Sequence, residues 1–455
     1  MASVVVIGAG IAGLGIAAFA SRRGHTVTII ERDAAPLEGA SPDEEVSDWQ
    51  RPGVPHARQG HAMLGLGISV LRQEYRPVID DLVARGAVLV DLDTGGDDLG
   101  LLVRRLVFEA TLRRRVEADS RVIILQARVV GLVAEVGADG VPHVLGVRLD
   151  DGSEMSGDIV LDASGRRSPS ATWLSGIGAQ APREIAQACG FSYIAQEFAL
   201  NPGCSFPSLR APIVHELDYA TVLAFPGDNG RFHLSTTISA KDPLRRRLLE
   251  PRIYARFLAS VEPVRKWLEV ASPVSAPLPM AGLENRRRSL AGPGGPIVTG
   301  FAYVGDACVQ TNPTFGRGVS LALAHARTLA DALDRIDQDP RTWTMDMIKR
   351  TEDCLGLWFE HQLATDAARL DELTNGTRSH SVAARIVTAM AVLREQDEHV
   401  RRVADQVYHM LLTPQQMMAD RAVSRQVLAF IREHPDVERS HVGPTRADFE
   451  RLAEG

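Results

Sequence analysis

SVVVIGAGIAGLGIAAFASRRGHTVTIIE, residues 3–31, changes hydrophobic period at Gly8 and again at Gly24, and that change decides the fold. Residues 3–7 (SVVVI) are a β-branched run of the kind buried on both faces of a parallel sheet. GAGIAG (8–13) follows, and a helix of small residues over 14–22 ends at Gly24. Residues 25–30 (HTVTII) are a second strand that closes on Glu31. The result is a βαβ unit with GxGxxG on its first turn. Gly8 permits the tight turn, Gly10 lets a pyrophosphate approach the backbone, and Gly13 allows the helix to pack closely on the sheet. The free N–H groups at the helix start receive the anion. Glu31 lies at the distance expected of a ribose acceptor. The same glycines could also serve a packing loop, and they do not by themselves separate FAD from NAD. A nicotinamide dehydrogenase continues at once into further βαβ repeats. Here an irregular acidic segment (33–49) and RPGVPHARQGHA (51–62) precede a helix at about 63–75.

The 455 residues carry 50 basic against 57 acidic side chains, a formal charge of −7, with 45% hydrophobic and 24% charged residues. That is the composition of a globular protein of two or three domains. An acidic balance argues against nucleic acid, whose phosphates demand surplus basic charge on one face. Cys189, Cys204, Cys308 and Cys354 are widely spaced and form no CxxC pair, which excludes a zinc knuckle and a disulfide scaffold and suits a reducing cytoplasm. No metal site is expected. The apolar run 4–20 changes period at Gly8 and has no basic residues before it, so neither a membrane span nor a signal peptide is expected.

Two further anchors lie far down the chain. GDIVLDASGRRS (157–168) is a buried strand with a turn at 162–165, and IVTGFAYVGDACVQTNPTFGRGVS (297–320) is a strand, a Gly305-Asp306 stop, a rigid loop and a helix over 319–333. Asp306 can hydrogen-bond a polyol chain. Pro313 fixes the loop backbone, while Gly316 and Gly318 let main-chain N–H groups at a helix N-terminus meet an electron-rich ring edge.

GAGIAG near residue 8, DASGRRS near 162 and GDACVQTNPTFGRG near 305 together resemble the FAD-dependent monooxygenases of the para-hydroxybenzoate hydroxylase fold. RPGVPHARQGHAMLG, VRRLVFEATLR and DIVLDASGRRSPSATWL are similar to the actinobacterial branch containing polyketide epoxidases. The resemblance covers about residues 1–175 and 285–335. It implies an α/β fold: a Rossmann-type FAD-binding domain of the glutathione-reductase-like class (1–75, 100–175 and 290–335), an inserted antiparallel-sheet substrate domain (76–99 and 176–289) and a C-terminal helical region (336–455). It makes Glu31, with Arg32 beside it, the ribose ligand, Asp306 the ribityl ligand and Arg105 a phosphate and ribityl contact. Pro313, Gly316 and Gly318 surround the isoalloxazine, and Asp162 matches an acid associated with FAD and NADPH. The family's Asp-Gly pair is here Asp162-Ala163, so the electron donor is NAD(P)H acting directly or through a partner flavin reductase.

The expected activity is insertion of one atom of O2 into a hydrophobic metabolite, by hydroxylation or epoxidation, through a flavin 4a-hydroperoxide. Arg51 and His61, in the loop that passes the ring in this family, are the candidate catalytic residues, with His56, Arg58 and Gln59 as neighbours. The arginine triplets 113–115, 245–247 and 286–288 read as solvated faces, or else as a means of capturing an NADPH phosphate. Tyr193 and Tyr219 read as core, or as pocket lining. Alternating stretches in 188–240 predict a half-buried antiparallel sheet, with Phe232, Leu234, Thr236 and Ile238 on one face. From about 343 the period is helical, with a stop at Pro414, a helix over 415–433 and a frayed polar end from 435. A monomer or homodimer is expected. A flavin halogenase needs an early lysine and a WxWxIP segment, and neither occurs: the first lysine is Lys241. The three anchors are also compatible with a reductase of an isoprenoid-like or otherwise lipophilic substrate, and with a non-catalytic flavoprotein.

Overall fold

The strand Ser3–Ile7 is buried because it lies at the centre of a five-stranded parallel sheet. The strand order is Phe301–Tyr303, Ile159–Asp162, Ser3–Ile7, Thr26–Glu31 and Val122–Gln126. This computed structural model describes residues 1–455 apart from 38, 40, 55, 95–97, 138, 210–212, 376–381, 436–442 and 455. The helix Ile11–Arg22 covers one face of the sheet and packs against the helix Gly318–Leu333. Gly15 permits their close approach, since a Cβ there would stand 3.2 Å from Leu323. The two anchors that the sequence separates by more than a hundred residues are thus adjacent strands and stacked helices.

The helix Pro77–Ala84 buries Val78, Ile79 and Leu82 in the same core as Leu14 and Phe19. Its apolar stripe is too wide to leave facing water.

Strands Phe191–Leu200, Ala220–Pro226 and Arg231–Ser239 form the heart of a six-stranded antiparallel sheet. Phe232, Leu234, Thr236 and Ile238 share a face, and all are fully buried. They pack with Tyr254, Phe257 and Trp267 from the helices Pro251–Ser260 and Glu262–Glu269. The sheet is not half-buried, however. His233, Ser235 and Thr237 on the other face are also buried, because that face lies against Gly60 and the loop at 312–314. Polar residues at alternate positions read as solvent-facing when they in fact face another layer of protein.

The 36-residue helix Pro340–Asn375 packs against the helix Gly318–Leu333 and also meets the strands Phe301–Tyr303 and Arg231–Ser239. Pro414, expected as a stop, is the first residue of the helix Pro414–Ala419. Thr413 and Gln416 form a capping box around it, where a missing N–H does no harm. The expected 415–433 helix breaks at Asp420, whose carboxylate accepts from the N–H groups of Ala422 and Val423 and starts Arg421–Glu433. The end of the chain does not fray throughout. Arg446–Glu454 is a helix whose fully buried Phe449 stacks on Tyr219 and meets the edge of Phe257. Tyr219 is therefore core. Residues 436–442 and 455 of the tail lie outside the described residues. Among the described residues no helix is long and apolar enough to cross a membrane.

Candidate functional site

The carboxyl ends of the parallel strands open onto one cavity of about 570 Å³, where open α/β sheets bind their ligands. Gly8, Gly10, Glu31, Arg32, Arg51, His61, Arg105, Asp306, Pro313, Gly316 and Gly318 all line it. Gly13 and Asp162 do not. Gly13 acts behind the cavity, at the crossing of helix and turn, where a Cβ would stand 1.9 Å from the Gly8 carbonyl oxygen. Asp162 is fully buried and builds the following turn: it accepts from the Ser164 N–H at 2.9 Å, the Ser164 hydroxyl at 2.6 Å and the Ser168 hydroxyl. Its contribution is to shape the 163–167 lining from behind.

Gly8 has a φ of +103°, a backbone region that favours glycine, and its missing Cβ leaves room for the Ala163 carbonyl. Gly10 and Gly318 are the opposite case. A Cβ at either would meet no protein atom within 4 Å, so both face open space at the start of a helix.

Glu31 accepts from the N–H groups of Ala9 at 2.7 Å and Asp33 at 2.8 Å, and from Arg51 Nη2 at 3.3 Å. Burial alone would raise its pKa, but Arg51 and these N–H donors outweigh that and hold the carboxyl below the usual range. Arg51 itself is enclosed. Its Nε donates to Glu109 at 2.8 Å and its Nη1 to Asp33 at 3.2 Å, and the guanidinium lies 5.3 Å from the Trp49 ring. Arg51 is 6% exposed and each of its three nitrogens donates to a protein acceptor, which suits a residue that positions Glu31 rather than one that reacts.

At the other end, Asp306 has no protein donor on its carboxylate among the described residues. Burial pushes its pKa up, against the pull of Arg105 and Arg166. Arg105 is held by Glu109 at 3.0 Å, leaving its Nε buried and without a partner among the described residues. Its Nη1 approaches His56 Nε2 at 3.4 Å. A guanidinium only donates, so that ring nitrogen accepts and the proton of neutral His56 sits on Nδ1, which has no partner among the described residues. His61 Nδ1 donates to the Gln59 carbonyl at 2.8 Å, leaving the Nε2 lone pair free.

The triplets are not solvated faces throughout. Arg288 is 5% exposed and donates to Glu184 and to the Ala307 carbonyl beside Asp306. Arg113 is buried on Glu117, and Arg115 pairs with Asp81.

The sequence profile of the family described as FAD dependent oxidoreductase matches residues 3–44. Protein Rv3254 of Mycobacterium tuberculosis is 28% identical over 370 residues, 72% of each chain. A menaquinone reductase of the same organism is 28% identical over 356 residues, 74% of this chain and 77% of that one. Two solved structures show the same fold. The flavin-dependent brominase Bmp2 has a TM-score of 0.62 at 18% identity, covering 95% of this chain and 99% of its own. The 2-methyl-3-hydroxypyridine-5-carboxylic acid oxygenase has 0.53 at 16%, covering 82% and 93%. The protein is an FAD-dependent oxidoreductase. The cavity of this oxidoreductase suits the cofactor, with glycines facing open space at two helix starts and a donor-free carboxylate. It also has three buried polar atoms that lack partners among the described residues: Arg105 Nε, His56 Nδ1 and the Gln59 side-chain carbonyl oxygen.

Burial pushes the pKa of His61 to about 3, of His233 to about 4 and of His325 to about 3, all from an ordinary 6.5. These rings stay neutral in the fold while their unfolded counterparts protonate below about pH 6.5. The unfolded oxidoreductase then binds more protons, so stability rises with pH. The urea midpoint should fall steadily as pH drops from about 7 to about 5. A flat profile there would contradict the burial of the three imidazoles.

Proposed function

We propose that FAD lies across this cavity with its pyrophosphate over Gly8 and Gly10, Glu31 accepting from the adenosine ribose with Arg32 beside it, and Asp306 and Arg105 on the ribityl and phosphate segment. Pro313, Gly316 and Gly318 then border the isoalloxazine. On this reading the chain divides into a discontinuous FAD domain, a sheet domain over the ring and a C-terminal helical region. The reaction is insertion of one oxygen atom of O2 into a hydrophobic metabolite, by hydroxylation or epoxidation, with a polyketide-like substrate as the narrower form.

Bound FAD, once reduced, supplies electrons to dioxygen. The chain's own contribution is to bind, orient and keep water out. Met280 and Leu283 place apolar surface in the lining near the 311–318 loop, which favours an apolar partner. His61 presents an uncharged Nε2 lone pair in the lining, able to hold a substrate or cofactor proton without titrating at neutral pH. Exposed Arg167 and half-buried Arg166 make one side of the mouth cationic, which supports a phosphate-bearing NAD(P)H as direct donor rather than a separate reductase.

The observation that carries the reading is the convergence of three distant glycine-bearing turns, at 8–13, 163–167 and 305–318, on one cavity. The brominase and oxygenase with this fold favour oxygen chemistry. A second reading, reduction of a lipophilic quinone-like substrate without oxygen insertion, is favoured by the relative named menaquinone reductase. The two separate when the protein's flavin is reduced under argon and mixed either with oxygenated buffer or with anaerobic menadione. The monooxygenase reading expects fast reoxidation by dioxygen and slow reoxidation by menadione. The reverse order would reject oxygen insertion.

A further inference from the structure

Asp366 lies on the helix Pro340–Asn375, in the C-terminal region that the cavity does not require for its lining. It is 5% exposed, yet among the described residues no arginine, lysine or histidine forms an ion pair with it. Its partners are three side-chain amides. Asn312 Nδ2 donates at 2.8 Å and Gln362 Nε2 at 2.8 Å to one oxygen, and Asn285 Nδ2 donates at 2.7 Å to the other. Asn285 returns its own carbonyl to the main-chain N–H of Asn312 at 2.7 Å. Tyr193, from the antiparallel sheet, donates its hydroxyl to Asn312 Oδ1 and accepts from the Thr314 hydroxyl at 2.6 Å. Arg317 Nη1 reaches Gln362 Oε1 at 3.4 Å, and its guanidinium lies between the Phe315 and Trp358 rings.

Every polar group of the Asn312 side chain is therefore fixed, and Asn312 stands between Thr311 and Pro313, both of which line the cavity. Three converging amide donors require a group that only accepts, and a carboxylate is the side chain that only accepts. Arg317 is near enough to favour the charge but forms no ion pair with it, and a buried carboxylate held only by neutral donors costs stability, so a packing role alone gives no reason for it. Charge-assisted bonds to it are short and directional, which is what a rigid loop needs.

We propose that Asp366 is a positioning residue for the flavin ring, fixing the 312–318 loop through Asn312 and Asn285 and so tying the C-terminal helix to the redox centre. The proposal rests on the reading that this loop borders the isoalloxazine. Asp366→Asn keeps the shape but sets an amide donor against amide donors. The holoprotein variant should bind FAD about tenfold or more weakly, as expected for a lost bond to a charged group. The flavin that remains bound should show an altered visible circular dichroism band and a shifted midpoint potential. Tyr193→Phe, which removes one bond of the same network, should move both signals the same way by less. It carries the test if Asp366→Asn does not fold.

Asp306→Ala is the control for the ring-site reading. If it binds FAD as the wild type does, that reading fails and the proposal with it. If Asp306→Ala loses FAD while Asp366→Asn and Tyr193→Phe keep wild-type dichroism and potential, the positioning role of Asp366 alone is overturned. Weaker binding with both signals unchanged would likewise reduce Asp366 to a structural role.

Discussion

Arg51→Met is expected to destabilise the fold by about 3–5 kcal/mol at neutral pH, the usual effect of removing one partner from a buried ion cluster. Methionine fills much of the volume and keeps the contact with Trp49, so the loss is electrostatic rather than a cavity. Three carboxylates, Glu31, Asp33 and Glu109, converge on this guanidinium, and their side chains are 7%, 7% and 1% exposed. Without it they face one another in a medium of low dielectric, where like charges disfavour ionisation. The sign of the pH effect then reverses. In the wild type Glu31 has a lowered pKa, so its stabilisation is present above the unfolded value near 4.5 and is lost as pH falls through the folded one. In the variant only the Ala9 and Asp33 N–H groups still oppose burial at Glu31, and with the guanidinium gone the folded pKa is expected to rise above the unfolded one. The deficit is then largest at neutral pH and shrinks as acid neutralises the cluster. Urea unfolding of wild type and Arg51→Met at about pH 7.5 and about pH 5.5 measures this. A deficit that stayed constant or grew on acidification would show that Arg51 does not hold the carboxylates ionised.

The first βαβ unit is legible in the sequence because its determinants are local. The turn, the helix stop and Glu31 lie within one stretch, and glycine positions follow from backbone geometry that no distant contact can replace. Four strands of the parallel sheet are legible for a related reason, short apolar runs bounded by glycine having few other uses once a parallel sheet is implied, while the edge strand Val122–Gln126 is not. Roles set by partners far along the chain are not. Arg51 reads as a candidate catalytic residue of the loop that passes the ring, and only the fold brings Glu109, 58 positions away, onto its Nε. Asp366 carries no local signal at all, since its donor Asn285 is 81 positions distant. The polar second face of the antiparallel sheet misleads in the same way, since Ser235 and Thr237 carry no mark that distinguishes protein from water as their neighbour. Asp162 is legible as the end of a strand but not in its task, because a turn-building aspartate and a ligand-binding one share the same local pattern.

Gly10→Ala and Gly13→Ala separate binding from folding within a single turn of helix. At Gly13 a methyl group would stand 1.9 Å from the Gly8 carbonyl oxygen and 3.0 Å from its carbon. Both are backbone atoms of a turn that is itself wedged against Ala163, so neither can swing aside. Relief requires moving the helix Ile11–Arg22 off the sheet, which breaks packing around Leu14, Ile16 and Phe19. Overpacking against an immovable neighbour costs about 3 kcal/mol or more. Gly13→Ala should therefore melt well below wild type, with or without FAD. Gly10 has φ −79° and ψ −178°, which any residue adopts, and its Cβ would touch no protein atom within 4 Å. Gly10→Ala apoprotein should accordingly keep wild-type stability to within about 0.5 kcal/mol. Its methyl group nevertheless occupies the space over the helix start where a pyrophosphate must come within hydrogen-bond reach of the N–H groups. FAD affinity should fall by about a hundredfold, the equivalent of two good hydrogen bonds to a charged group. Melting of the apoproteins together with fluorescence titration of FAD distinguishes the two variants. Wild-type FAD affinity in Gly10→Ala would place the pyrophosphate elsewhere, because a bound phosphate and that methyl group cannot share the same space.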